Sequence, residues 1–333
     1  TAREDHTSVA LPDGSIVLMG SSGFLGPGND VWRSTDQGAT WTQMTAAAEW
    51  TARYNHSSVA LADGSIILMG GQASSRLNDV WRSTDQGATW TQMTAAAGWT
   101  ARSSHSSVAL PDGSIVLMGG YDSSRLNDVW RSTDQGAAWT QMSAAAGWKT
   151  RSGHTSVALP DGSIVLMGGS QTVEGTTSWV NDVWHSTDQG ATWTQITTLA
   201  QWAAREEHTS VALPNGSIVL MGGYYYSGSN LYVNDVRRST DQGATWMQMT
   251  AAAGWMGRSG HTSVALPDGS IVLMGGRYSL GTGAIYLNDV WRSTDQGATW
   301  TQRTAAAGWT ARRGHTSVAL PDGSIVLMGG IDG

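Results

Sequence analysis

The sequence predicts an all-β protein built from repeated four-stranded antiparallel sheets, and three observations support this prediction. A segment reading HTSVAL or HSSVAL recurs seven times in the 333 residues, and a segment reading STDQGA recurs six times. Successive copies of the first segment begin 49 to 54 residues apart. Each copy contains four short apolar or alternating runs bounded by turn residues, which is a pattern of strands and not of helices.

Each repeat can be divided into strands A, B, C and D in chain order. HTSVAL is strand A, and the PDG that follows it is a hairpin turn. SIVLMGG is a continuous apolar run, as expected for a strand B that is covered on both faces. NDVWRS is strand C, TDQG is a second turn and ATWTQM is strand D. A variable stretch joins strands B and C, and a stretch resembling TAAAGWTARSG joins strand D to the next repeat.

Such repeats can cover two apolar faces only if their sheets pack against one another. We therefore predict a β-propeller, and prefer it to a linear β-solenoid because solenoid repeats are usually shorter. The chain should form a single domain, seven-bladed, with an incomplete last blade made of strands A and B only. The missing strands of that blade could come from flanking sequence or from a second copy of the chain. The predicted units are residues 1–49, 50–98, 99–147, 148–201, 202–254, 255–308 and a half unit, 309–333.

The composition narrows the classes of function. Hydrophobic residues make up 40% of the chain and include 18 Trp, which is enough for a core. The absence of Cys excludes disulfides, thiolate metal sites and a cysteine nucleophile. A net charge of −7 and a single lysine, Lys149, argue against a nucleic-acid partner. No apolar run approaches the about 18 residues that span a membrane, and nothing indicates a cofactor.

The chain opens on TAREDH, without Met and without a signal peptide. We interpret it as a mature form or as a segment of a longer protein. The composition does not determine the compartment, and we favour a secreted or cell-surface protein.

Two motifs carry a family resemblance. RSGHTSVALPDGSIVLMGG and NDVWRSTDQGATWTQM together resemble the kelch repeat, with Arg and His before strand A, Gly-Gly after strand B and Trp in strand D. The turn STDQGATW also resembles the Asp-box of sialidase-like propellers. In such a turn the aspartate accepts backbone N–H bonds, the glycine supplies a positive φ and the tryptophan anchors the turn. We interpret six turn aspartates as structural and not as metal ligands: Asp36, Asp85, Asp134, Asp188, Asp241 and Asp295.

Propellers that resemble this chain include enzymes, but the residues argue against each type. An enzyme like galactose oxidase needs a Cys–Tyr cofactor, and the chain has no Cys. A sialidase needs an arginine triad, a tyrosine nucleophile and an acidic partner at unique positions. Here one arginine before strand A recurs in every repeat, and no triad stands out. Ser, His and Asp also recur alike in every repeat, although a catalytic centre is a single asymmetric constellation. We therefore expect that the protein is not an enzyme. The repeated histidines should be packed and hydrogen-bonded, and should titrate like ordinary histidines.

Differences between the repeats concentrate in two places. One is the stretch between strands B and C, and the other is the pair of residues that follows the repeated Arg before strand A. Elsewhere the copies agree closely, since residues 78–102 and 288–312 differ only at Met93 and Arg303. Because turns alternate between the two ends of an antiparallel sheet, both variable places should lie at the same end. We call this end of the sheets the variable face.

The variable stretches hold all eight Tyr, the one Phe and the one Trp outside the repeated frame. Tyr supplies rigid amphipathic contact area, while Ser, Gly and Asn supply adaptable hydrogen bonds, which is the composition of a binding surface. Arginines in the same stretches add planar donors. The candidate ligand-binding residues are Tyr54, Tyr121, Tyr224, Tyr225, Tyr226, Tyr232, Tyr278, Tyr286, Phe24, Trp179, Arg76, Arg125, Arg277, Glu206 and Glu207.

Two functions are compatible with these observations. The first is a recognition module that binds a protein or a glycan on the variable face. The second is a scaffold that assembles into oligomers or fibres through the half unit, because an exposed strand edge promotes association. Drift of surface loops is the alternative to a binding surface, but it does not readily explain why every tyrosine lies on the variable face.

Overall fold

The computed structural model describes residues 3–22, 26–173, 176–279 and 283–332. Strand A of each repeat is a four-residue strand: β1 (Thr7–Ala10), β5 (Ser57–Ala60), β9 (Ser106–Ala109), β14 (Thr155–Ala158), β20 (Thr209–Ala212), β26 (Thr262–Ala265) and β30 (Thr316–Ala319). Strand B follows: β2 (Ile16–Ser21), β6 (Ile66–Gln72), β10 (Ile115–Tyr121), β15 (Ile164–Met167), β21 (Ile218–Met221), β27 (Ile271–Ser279) and β31 (Ile325–Met328).

Six repeats add two further strands. Strand C is β3 (Gly28–Ser34), β7 (Arg76–Ser83), β11 (Arg125–Ser132), β18 (Val183–Ser186), β24 (Val236–Ser239) and β28 (Ala284–Ser293). Strand D is β4 (Thr42–Thr45), β8 (Thr91–Thr94), β12 (Thr140–Ser143), β19 (Thr194–Thr197), β25 (Met247–Thr250) and β29 (Thr301–Thr304). Short strands lie in the variable stretches: β13 (Arg151–Ser152), β16 (Ser170–Val173), β17 (Thr176–Trp179), β22 (Tyr224–Tyr226) and β23 (Asn230–Tyr232).

These strands form six four-stranded antiparallel sheets in the order A-B-C-D, and β30 pairs with β31. Sheets of this kind repeated along a chain are the blades of a β-propeller, so the predicted fold class is confirmed. The number of blades stays a prediction. The chain divides into two compact units: Thr1–Ser152 with Thr187–Thr192 and Thr316–Gly329, and Gly153–Ser186 with Trp193–His315 and Gly330–Gly333.

Strand B forms the core of each sheet. The first four residues of β6, Ile66 to Met69, are completely buried because they pair with β5 on one side and β7 on the other while both faces are covered by other sheets or connections. Side chains from neighbouring sheets interleave there: Val17 and Met19 of β2 pack in one cluster with Ile66 and Leu68 of β6. The continuous apolar run in the sequence therefore corresponds to a strand buried on both faces, as predicted.

The Gly-Gly that ends strand B is required by close packing against two histidines. A Cβ on Gly70 would lie 3.2 Å from the ring of His105 in the next sheet, and a Cβ on Gly71 would lie 2.7 Å from the Cβ of His56 in the same sheet. Both glycines also have positive φ, 54° and 104°. A larger residue at either position would separate the sheets or strain the backbone.

The repeated histidines join neighbouring sheets within each unit. The Nε2 of His56 shares a hydrogen bond with the Thr7 hydroxyl at 2.8 Å, and His261 does the same with Thr209 at 3.0 Å. Burial, followed by the charge of the neighbouring Arg205, lowers the pKa of His208 to about 3, and burial with the charge of Arg312 lowers that of His315 to about 4. The prediction that these histidines titrate ordinarily is therefore wrong, because a buried imidazole cannot be hydrated when it is charged.

In the second repeat a buried arginine ties together three parts of the sheet. Arg53 donates two hydrogen bonds to the carboxylate of Asp79 at 2.6 and 2.8 Å and one to the Gly70 carbonyl at 2.9 Å. Its guanidinium lies 5.7 Å from the centre of the Trp50 ring. Burial alone would raise the pKa of Asp79, but the bonds and charge of Arg53 outweigh burial and lower it. The repeated arginines are thus structural ion-pair partners.

The turn between strands C and D has the geometry expected from its sequence. Asp85 accepts hydrogen bonds from the Thr89 backbone N–H at 2.9 Å and the Thr89 hydroxyl at 2.6 Å. Gly87 has a φ of 94°, and the Trp90 indole N–H donates to its carbonyl at 3.2 Å. Gln86 also has a positive φ, 63°, which the sequence did not indicate. The Asp85 carboxylate therefore bonds within its own turn, and the structural role of the six turn aspartates stays a prediction.

The last, two-stranded sheet packs against the first sheet, within the first unit. The Nε2 of His6 shares a 2.8 Å hydrogen bond with the Thr316 hydroxyl, which repeats the bond between His56 and Thr7. Val318, Val326 and Met328 join Ile16 and Leu18 of β2 in one buried cluster. The half unit therefore uses the same inter-sheet contacts as the complete repeats.

Acid should destabilise this protein before its carboxylates titrate. The unfolded state binds protons on histidine near pH 6.5, whereas the folded state keeps His56, His208, His261 and His315 neutral, so the free energy of unfolding decreases as the pH falls. We expect the melting temperature to decrease steadily from pH 7 to pH 5, by calorimetry. A melting temperature that is constant over this range would contradict the burial of neutral imidazoles.

Removing the buried guanidinium of Arg53 should lower the free energy of unfolding far more than removing a guanidinium at the surface. Arg53→Ala leaves the Asp79 carboxylate buried without its partner and should lower the free energy of unfolding by about 3–5 kcal/mol. The control is Arg33→Ala, which removes the more exposed pair with Asp13 and should cost about 1 kcal/mol or less. Urea denaturation of both variants measures the difference, and equal losses would show that the buried pair does not hold the repeat together.

Candidate recognition surface

The two variable places of a repeat pair with each other. Tyr54, from the pair before strand A, exchanges backbone hydrogen bonds with Gln72, at the end of strand B, at 3.0 and 2.8 Å. Glu206 and Tyr224 form the same antiparallel bridge. The expectation that both variable places lie at one end of the sheet is therefore confirmed for these repeats. Arg53 and Arg205 precede Tyr54 and Glu206, so the buried ion pairs anchor the surface directly.

The second residue of each variable pair has a left-handed backbone. The φ values lie between 50° and 65° in all seven repeats: Asp5, Asn55, Ser104, Gly153, Glu207, Gly260 and Gly314. Glycine, asparagine and aspartate adopt this conformation most easily. Glu207 holds it at a cost of about 1–2 kcal/mol relative to glycine. The side chain of Glu207 is exposed.

In the second unit the B–C stretches form β-hairpins where the sequence indicated loops. β16 pairs with β17, and β22 pairs with β23 with Tyr224 opposite Tyr232. β27 and β28 extend the sheet itself, with Tyr278 opposite Ile285 and Arg277 opposite Tyr286. The hairpins fix the spacing of their aromatic residues because cross-strand neighbours lie within contact distance.

Glu206 connects aromatic residues from two successive repeats. Its Oε1 accepts hydrogen bonds from the Trp179 indole N–H at 3.0 Å and from the Tyr224 hydroxyl at 2.9 Å. Its Oε2 accepts a bond from the buried Ser170 hydroxyl at 2.7 Å. Gly153 makes room for this carboxylate, since a Cβ there would lie 2.9 Å from Oε2.

Four rings are arranged in two stacked pairs around this carboxylate. The centres of Tyr224 and Tyr232 are 5.7 Å apart with an interplanar angle of 27°, and those of Trp179 and Tyr226 are 6.3 Å apart at 29°. We call the four rings and Glu206 the aromatic cluster. Burial, and then the charges of Glu206 and Glu207, raise the pKa of Tyr224, so its hydroxyl remains a donor at neutral pH.

The aromatic cluster is open to solvent. Tyr226 of the cluster is 54% exposed although its side chain is large and mostly apolar. Leu231 is 40% exposed, but it pairs with Tyr225 and therefore lies on the other face of the hairpin from the cluster. Exposed apolar groups of this size on a folded protein indicate an interaction site when they are contiguous. Ser170 and Leu231 were not among the residues predicted from the sequence. Ser170 is placed by its hydrogen bond to Glu206, and Leu231 by the hairpin register that pairs it with Tyr225.

In the first unit the predicted residues make a smaller set of contacts. The guanidinium of Arg76 lies 4.6 Å from the centre of the Tyr121 ring, so a cation already covers that tyrosine. Arg125 donates from Nε to the Ser152 hydroxyl at 2.9 Å. Tyr54 is half-buried beside its bridge to Gln72.

All but one of the remaining predicted residues belong to the second unit. Tyr225, Tyr278 and Tyr286 are partly exposed on their hairpins. Arg277 is close enough for its charge to act on Tyr224. Phe24 lies outside the described residues. Whether these side chains bind a ligand stays a prediction.

Within the ranges that the structure describes, no three His, Asp or Glu side chains are grouped to hold a metal ion. No helix in those ranges is long and apolar enough to cross a membrane.

Glu206 should be essential to the stability of the surface, whereas its neighbour should not. Glu206→Ala removes the common acceptor of Trp179, Tyr224 and Ser170 and should lower the free energy of unfolding by about 1–3 kcal/mol. Glu207→Gly relieves the left-handed backbone and should leave stability equal or higher. Thermal unfolding of both variants tests this contrast, and a larger loss for Glu207→Gly would refute it.

Comparison with known proteins supports the same architecture. A family model for the KLHDC2/KLHL20/DRC7 Kelch-repeats domain matches residues 86–276, which is more than half of the chain. An adagio-like protein of Oryza sativa subsp. japonica is 32% identical over 158 residues, or 43% of this chain and 24% of that protein. The chain thus spans about a quarter of the length of this curated relative. Together with the repeated four-stranded sheets, the match shows that the chain belongs to the kelch-repeat family, whose propellers are generally protein-binding domains.

Proposed function

We propose that this protein is a non-enzymatic recognition module whose variable face binds a partner protein. The observation that carries the proposal is the aromatic cluster, in which residues from two repeats form an exposed surface at the end of the sheets that differs between repeats. Tyr and Trp are the residues most enriched at the energetic centres of protein interfaces. Kelch-repeat domains generally bind proteins, which supports the same class of ligand.

The opposite end of the sheets is less suited to recognition. There, in five repeats, the glutamine of the C–D turn donates to the aspartate of the A–B turn of a neighbouring sheet. Gln86, for example, donates to Asp13 at 3.0 Å, and Gln242 donates to Asp161 at 2.7 Å. These side chains are nearly the same in every repeat and are used within the protein. Variation at one end and internal bonding at the other favour the variable face as the binding surface.

A binding screen with a matched control tests this proposal. The natural chain and a variant in which every B–C stretch is replaced by residues 121–126, YDSSRL, would be compared in a protein pull-down and on a glycan array. We expect the natural chain to retain a specific protein that the variant loses, because only the variable hairpins differ. Equal retention by both chains would refute the role of these hairpins. Specific retention of a glycan alone would replace the protein ligand with a carbohydrate.

A second candidate function, self-assembly, is favoured by the edge of β31. In the described part of the chain, β31 pairs only with β30, whereas each of the other B strands also pairs with a strand C. An open edge can pair with a strand from another molecule. Sedimentation velocity over a hundredfold range of concentration separates the two candidates. Oligomers that grow with concentration would support self-assembly, and a monomer at every concentration would refute it.

A further inference from the structure

We propose that the aromatic cluster binds a positively charged side chain, lysine or arginine, of the partner protein, and that Glu206 and Glu207 provide the selection for positive charge. The inference rests on the proposed function of the variable face and names the chemistry that this part of the face recognises. It follows from the ring arrangement, from the carboxylates and from a comparison with the first unit.

The carboxylate of Glu206 makes the ring faces more attractive to a cation. It accepts hydrogen bonds from the Trp179 indole N–H and the Tyr224 hydroxyl, both of which are polar groups at the edge of an aromatic ring. An aromatic face is already negative because of the ring quadrupole. A full negative charge at the edge of both rings adds to that potential, so a cation over either face is favoured and an anion is disfavoured.

Glu207 supplies a second negative charge with no partner of its own. Its side chain is exposed, and the carboxylate makes no hydrogen bond or ion pair with any residue in the described ranges. The charges that act on Tyr224 include the carboxylates of Glu206 and Glu207 and the guanidinium of Arg277. Two carboxylates against one guanidinium leave this part of the variable face negative.

The first unit shows that the variable face can hold a cation over a tyrosine. There Arg76 from one repeat lies over Tyr121 of the next, with 4.6 Å between the guanidinium carbon and the ring centre. Over the described residues of the second unit, no arginine or lysine lies within such a distance of Trp179, Tyr226 or the other rings of the cluster. The protein thus fills one aromatic site internally and leaves the larger one for a cation from outside.

Titration with short model peptides tests the inference on the full chain. The probes are acetylated, amidated pentapeptides of sequence Gly-Ala-X-Ala-Gly, in which X is lysine, arginine, norleucine or glutamate. The readout is the NMR resonance of the Trp179 indole N–H, assigned with Trp179→Phe, because this proton lies within the cluster. We expect saturable shifts with the lysine and arginine peptides, at least about tenfold weaker binding of norleucine, and no binding of glutamate.

Matched charge variants identify the source of the selectivity. Glu207→Gln keeps the size of the side chain and should weaken binding of the lysine peptide by about threefold to tenfold. Glu207→Gly should weaken binding similarly while relieving the left-handed backbone, so a loss of binding cannot then be attributed to unfolding. Glu49→Gln removes one charge from an exposed glutamate of the first unit and should leave binding unchanged.

Each outcome supports or overturns the inference, independently of the proposed function. Equal binding of the norleucine and lysine peptides, or the absence of any shift, would overturn it, as would wild-type affinity in Glu207→Gln. If the pull-down partner is still retained by Glu207→Gln but lost when the hairpins are replaced, the recognition function stands and the cation preference fails. If replacing the hairpins has no effect on that partner, the recognition function itself fails.

Discussion

A buried ion pair is the interaction on which the variable face depends. In each of five repeats the described structure places a nearly fully buried arginine in a bidentate bond with an aspartate of strand C: Arg3 with Asp30, Arg53 with Asp79, Arg102 with Asp128, Arg205 with Asp235 and Arg258 with Asp289. In four of these repeats the arginine also donates to the carbonyl of the first glycine of the Gly-Gly pair. Because the two variable residues follow it directly, a rigid charge pair positions residues that are free to differ.

The repeat pattern was sufficient to predict strands A to D, their order and the fold class, but not the short strands of the variable stretches. The apolar runs, the PDG turns and the TDQG turns predict the strands and turns of one repeat. Because these segments recur, they also predict a series of similar sheets that pack against one another. The predicted behaviour of the histidines failed for a different reason. His56 is polar in the sequence, but it is buried between Gly20 of the first sheet and Gly71 of its own sheet. This proximity is a tertiary property that the spacing of residues alone does not reveal.

The sequence indicated which residue types make up the candidate site, but not how their side chains are arranged. The clustering of tyrosines in variable stretches identified Tyr224, Tyr226 and Tyr232, yet their stacking depends on a hairpin register that short sequences specify weakly. Glu206 was one charged residue among several. Its position between two repeats makes it the shared acceptor of Trp179, Tyr224 and Ser170, and Ser170 had no distinguishing signal in the sequence.

The left-handed residue that precedes each repeated histidine limits how such a surface can diversify. Three of the seven copies are glycine, and the other four are Asp, Asn, Ser and Glu. The left-handed backbone disfavours β-branched and bulky residues there, so few residue types fit this position. The position before it has no positive φ in any of the seven repeats, and neither have the paired strands of the hairpins β16–β17 and β22–β23. A combinatorial library built on this scaffold would therefore gain most of its diversity from the hairpins, and random codons at the left-handed position would mainly yield unstable members.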